Sequence, residues 1–87
     1  MKITKRNGTI TIYDDEKVIA SILRANAETA ETLLDKKRAA AIADQVFLRL
    51  TERNEILTTA DVRRCVDEIL REHGFTETAR HYMEFVK

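Results

Sequence analysis

Ile3-Thr4-Lys5-Arg6-Asn7-Gly8 runs two cations into a turn dipeptide, and Thr9-Ile10-Thr11-Ile12 alternates just beyond it. The pattern predicts a β-hairpin that carries phosphate-binding charge. Asn-Gly between alternating segments favours a two-residue type I′ turn, because both central residues need positive φ and these two tolerate it best. Pairing outward from that turn sets Arg6 opposite Thr9, Lys5 opposite Ile10, Thr4 opposite Thr11 and Ile3 opposite Ile12. Directly opposed residues share a face, so Ile3, Ile10, Ile12 and Lys5 are expected together on the covered side. An ammonium placed there needs an anionic partner, unless it lies at the hairpin tip and reaches water along its own stem. Arg6 beside it, and a third cation, Lys17, in the first turn of the next helix, favour an anion-binding role.

Outward from the hairpin, Tyr13 closes the second strand and Asp14 is placed to cap a helix running to about Asn26. Asp15 and Glu16 suit its first turn. Val18, Ile19, Ile22, Leu23 and Ala25 form its apolar stripe, while Lys17, Ser21 and Arg24 share a neighbouring face. Residues 27–53 contain no glycine or proline and read as helix for most of their length, with a joint near Leu33-Leu34-Asp35. Ala39, Ile42, Ala43, Val46, Phe47 and Leu50 make a second stripe, whose alanines admit a close neighbour. The run Asp35-Lys36-Lys37-Arg38 reads as a solvated helix start rather than a nucleic-acid patch. Thr58-Thr59-Ala60-Asp61 opens a third helix, with either threonine as cap and Asp61 completing a capping box with Thr58. That helix turns Val62, Cys65, Val66, Ile69 and Leu70 inward. It ends at Gly74, with Phe75 packing back on Leu70 in a Schellman ending. Thr76 is placed to cap a fourth helix, whose inner face is Ala79, Tyr82, Met83 and Val86.

Eighty-seven residues, 44% hydrophobic and 34% charged, fit one small folded domain spanning 1–87. Lys and Arg total 15, as do Asp and Glu, so no global field draws in a polyanion and any phosphate binding must be local. Catalysis is not expected: no nucleophile, base and orienting group occur together. His73, His81 and the lone Cys65 have no metal-ligand spacing, and Cys65 reads as a small buried residue. Asp14, Asp15 and Glu16 read as a capped acidic helix start rather than a magnesium site. The chain has no run of transmembrane length and its start lacks a secretory apolar region, from which a cytoplasmic protein is expected.

The order of these pieces resembles the ATP-cone, a nucleotide-sensing regulatory module found in many ribonucleotide reductases. The resemblance rests on Ile3, Lys5-Arg6-Asn7-Gly8, the strand through Ile12, Asp14-Asp15-Glu16, Lys17-Val18, the threonine-led helix through Val66 and Leu70, and Ala79, Tyr82 and Phe85. It covers nearly the whole chain. It implies a third strand within Glu55-Ile56-Leu57-Thr58, and binding of ATP or dATP, with Mg2+, through Lys5 and Arg6, the segment Thr11, Ile12, Tyr13, Asp14 to Lys17, and Thr59. Lys87 is a further candidate. Arg63 stands where such modules often carry glutamine or histidine. The resemblance also implies allosteric control of a ribonucleotide reductase through a reductase subunit or another ATP-cone. Neither a catalytic barrel nor a four-cysteine zinc ribbon is present in these 87 residues, so a stand-alone or excised cone is expected.

The expected fold class is α+β: a small sheet built on the N-terminal hairpin, capping a bundle of about four helices. Two other readings compete with the sensor. In one, the helix from Thr58 to Leu70, with Arg63, Arg64 and Arg71, would read DNA, against which stand Asp61, Asp67, Glu68 and Glu72 in the same segment. In the other the chain is a ligand-free protein-interaction bundle.

Overall fold

The computed structural model describes residues 1–53 and 55–85. The expected Val86 and Lys87 positions lie outside the described residues. The elements are β1 (Lys2–Thr4), β2 (Ile10–Ile12), α1 (Asp15–Ala27), α2 (Lys36–Thr51), β3 (Leu57–Thr58), α3 (Thr59–Glu72) and α4 (Thr76–Phe85). The sheet has the order β2-β1-β3, with β1–β2 antiparallel and β1–β3 parallel. The fold is α+β, as expected. In the bundle α1 packs on α2 and α4, and α3 packs on the same two helices, so the four form a closed ring.

The hairpin register differs from the expected one by a single residue. Lys2 pairs with Ile12, Ile3 with Thr11 and Thr4 with Ile10. The turn holds three residues rather than two. Gly8 N–H donates to the Lys5 carbonyl at 2.9 Å and Lys5 N–H to the Thr9 carbonyl at 2.7 Å, and Gly8 alone in the turn has positive φ, +86°. That is the loop in which a turn is followed by a left-handed glycine bulge. Asn7 stays out of the left-handed region, and its Oδ1 accepts from the Thr9 N–H at 3.1 Å and hydroxyl at 2.7 Å, which holds the tip. A one-residue slip turns a strand over. Ile10 and Ile12 are therefore 67% and 70% exposed instead of covered, while Ile3 is 3% exposed. Lys5 keeps its place on the face of Ile3, now accompanied by Thr11.

The helix ends follow from their capping chemistry. Asp14 accepts from the Glu16 and Lys17 N–H groups at the start of α1, and Asp35 from the Arg38 N–H at the start of α2. Thr58 and Asp61 exchange bonds in a capping box at α3, so Thr58 is the cap. At the end of α3, Gly74 at φ +85° lets the Phe75 N–H reach the Leu70 carbonyl and its own N–H reach Arg71. This is the Schellman ending, with Phe75 and Leu70 both buried.

Between α1 and α2 the chain is not helical. Residues 28–35 form a loop organised by Asn26, which is 1% exposed. Its amide donates to the Thr32 carbonyl and to the Thr78 hydroxyl, and accepts from the Leu34 N–H. In the same loop Glu31 accepts from the Glu77 N–H, the Thr78 N–H and the Thr78 hydroxyl. Thr76 is thus the first helical residue of α4 rather than its cap, and a carboxylate from far along the chain satisfies the exposed amides. Ile22, Ile42, Val46, Leu50, Val66, Ile69 and Leu70 fill the core, with Ala25, Ala39, Ala43 and Ala79 fully buried between helices. Phe47 and Met83, expected inside, are 39% and 37% exposed.

Candidate functional site

Two strand-to-helix joints decide where charge collects. β2 passes through Tyr13 and Asp14 directly into α1, and β3 passes directly into α3, so both helices start beside the sheet. A helix start carries partial positive charge from N–H groups that lack intrahelical acceptors. Between these two starts lies a cavity of about 260 Å³.

The structure brings most of the expected binding residues to this cavity. Lys5 and Thr11 line it from the inner face of the hairpin, and Ile12 and Tyr13 from the end of β2. Asp14 and Lys17 come from the start of α1, Thr59 and Arg63 from the start of α3. Arg6 is outside the cavity proper. It lines an adjoining groove of about 420 Å³ with Asn7, and the groove shares Lys5, Thr59 and Arg63 with the cavity. Lys87 is outside the described residues.

The cations around the cavity differ from most arginines elsewhere. Arg49 is paired with Glu72 at 2.8 Å, Arg71 with Asp67 at 3.0 Å, Arg80 with Glu77 at 2.8 Å and Arg64 with Asp61 at 3.6 Å. Among the described residues, Lys5, Arg6, Lys17 and Arg63 pair with no carboxylate. Among the described residues one carboxylate lines the cavity, Asp14, and its Oδ1 already accepts from two backbone N–H groups of α1.

The interior contains residues that the sequence reading left to the core or to the helix surface. Ile3, Val18 and Val62 give apolar wall, and Ser21 and Tyr82 give hydroxyls. Ser21 had a signal, since it lies one turn beyond Lys17 on the same helix face. Tyr82 had none beyond its apolar spacing, because only the closure of α4 onto α1 and α3 brings it here. Burial pushes its phenol up to about 12, with the nearby Arg63 acting in the opposite direction. Tyr13 is a strut: its hydroxyl donates to the Ala43 carbonyl at 3.2 Å and its ring meets Phe47 at 5.6 Å between centroids. Burial, the first of several causes, raises its pKa too. Both phenols therefore stay neutral near pH 7.

Among the described residues, no histidine or cysteine lines the cavity. Among the described residues no three His, Cys, Asp or Glu side chains group as metal ligands. Cys65 is buried against α2, its thiol 3.9 Å from the Val46 carbonyl, and burial raises its pKa, leaving it a poor nucleophile. No helix is long and apolar enough to cross a membrane.

No curated protein matched the chain. The family model of the ATP cone domain matches residues 1–86. With the three-stranded sheet, the helical ring and the cation-rimmed cavity in place, that match over essentially the whole chain shows that it belongs to the ATP cone domain family, a nucleotide-binding regulatory module.

Proposed function

We propose that this domain senses ATP or dATP, holding the triphosphate at the mouth of the cavity and the nucleoside inside it. The observation that supports this most is the meeting of four unpaired cations, Lys5, Arg6, Lys17 and Arg63, at the starts of two helices. Phosphate oxygens gain charge-assisted hydrogen bonds from such side chains and favourable partial charge from the helix starts. The apolar walls suit a base. Small-molecule pockets commonly measure about 300–1,000 Å³, a range that the cavity reaches together with its adjoining groove. Magnesium, in this reading, arrives on the phosphates, since Asp14 is the one carboxylate at the cavity among the described residues and its bonds cap α1.

The regulated target in this proposal is a ribonucleotide reductase, in the cytoplasm, reached through a reductase subunit or another cone. Coupling requires that the ligand favour one set of partner contacts over another. The rival DNA-reading helix is disfavoured because Arg63 turns to the cavity while Arg64 and Arg71 are tied to Asp61 and Asp67.

A thermal-shift titration tests the binding. At ten times the dissociation constant a ligand stabilises by about 1.4 kcal/mol, which for a domain of this size is roughly 5–10 °C. ATP and dATP should produce such a shift and duplex DNA should not. No shift with either nucleotide at millimolar concentration would remove the sensor reading. Sedimentation with a cognate reductase, with and without nucleotide, tests the target: an unchanged profile would remove the reductase from the account.

A further inference from the structure

Tyr82 combines features that rarely coexist. Tyr82 is 3% exposed, yet among the described residues its hydroxyl has no hydrogen-bond partner. Buried phenols ordinarily find one. Among the described residues no fully enclosed side-chain nitrogen or oxygen lacks a partner. The Tyr82 oxygen therefore keeps a small opening; Tyr82 lines the cavity, and Arg63, which lines it too, is near enough to act on the phenol.

Position within the cavity says what that oxygen would meet. The cations come from the hairpin and from the first turns of α1 and α3. Tyr82 comes from the C-terminal half of α4, and Ser21 lies one turn further along α1 than Lys17. A ligand whose phosphates engage Lys5, Arg6 and Lys17 turns its other end toward Ser21 and Tyr82. No charged group other than Arg63 is needed there, and a neutral hydroxyl can both donate to and accept from the nitrogens and oxygens of a base and sugar.

We infer that the Tyr82 hydroxyl is a positioning group for the nucleoside half of the ligand, contacting base or sugar and leaving the phosphates to the cations at the mouth. This rests on the nucleotide-binding reading above and adds to it a polar contact on α4. It also links ligand to fold, because α4 closes the helical ring against α1 and α3. A bound nucleoside would then bridge the hairpin, both helix starts and the last helix.

The test compares ATP with inorganic tripolyphosphate, a probe that has the phosphates and no nucleoside, on the wild type and Tyr82→Phe by calorimetry. Removing a neutral hydrogen bond should weaken ATP about two- to ten-fold and leave tripolyphosphate unchanged. The apo melting temperature should hold, because the hydroxyl has no partner among the described residues. If Tyr82→Phe binds ATP as the wild type does, or loses ATP and tripolyphosphate equally, the inference is overturned. If the wild type binds no ATP at all, the nucleotide-binding reading itself has failed, which is a distinct result. Ser21→Ala gives a second measure: it should also weaken ATP selectively, and an unchanged affinity there, together with an unchanged Tyr82→Phe, would move the nucleoside out of the cavity.

Discussion

Lys5 reaches the cavity by the geometry of its own strand. The expected register placed it beside covered Ile10 and Ile12 side chains, which are instead largely exposed. Its own strand still sends it to the side of Ile3, because alternation along β1 does not depend on what β2 does. There it lines both the cavity and the outer groove. Being exposed, it costs the apo fold little, so Lys5→Ala should leave the melting temperature nearly unchanged. A charge-assisted bond is worth about 1.5–3 kcal/mol, and exposure at the rim puts Lys5 at the lower end, a loss of roughly ten-fold in ATP affinity. Lys2→Ala, on the opposite face of β1, is the control and should bind as the wild type does. Equal calorimetric affinity in Lys5→Ala and the wild type would show that the lysine only reaches for water.

Among the elements, helix ends written in local sequence were the readable ones. Asp14, the Thr58–Asp61 box and the Gly74-Phe75 ending each involve partners within five residues, and each is present as expected. The hairpin turn failed for a local reason. Asn-Gly serves either a two-residue turn or the last positions of a longer one, and the Asn7 bond to Thr9 favours the second. The start of α4 failed for a non-local reason: Glu31 lies 47 residues from Thr78 in sequence. Burial raises the Glu31 pKa, but the bonds from Thr78 and Glu77 outweigh it and hold the carboxyl below its ordinary value. A depressed folded pKa means that this stabilisation is complete above the ordinary carboxylate range and disappears as pH falls through the folded value. Glu31→Ala should therefore cost roughly 1–2 kcal/mol at neutral pH, measured by urea unfolding. The difference from wild type should shrink as pH falls below the ordinary carboxylate range. A difference that persists undiminished in acid would mean that Glu31 supports α4 by packing rather than by charge.

At the scale of the whole molecule, the sheet and the bundle are joined where binding is proposed. The chain passes from strand to helix twice, at Asp14 and at Thr58, and both passages open on the same cavity. The α+β class and the N-terminal hairpin were legible, because alternation and helical periodicity are properties of the chain itself, whereas the third strand came only from the family resemblance. The contribution of α4 to the cavity was not, since it exists only once the ring closes. The opposite end of the bundle offers a useful contrast: Arg38 lies over the Phe75 ring at 5.3 Å, beside Glu31 and His73, and belongs to no part of the proposed site. Titrating the isotope-labelled domain with ATP and following its backbone amides by NMR tests the account most directly. The predicted result is saturable shifts in Lys5–Gly8, Asp14–Lys17 and Thr59–Arg63, with Lys36–Arg38 unmoved. Shifts concentrated at Arg38 and Phe75, or none at saturating nucleotide, would contradict it.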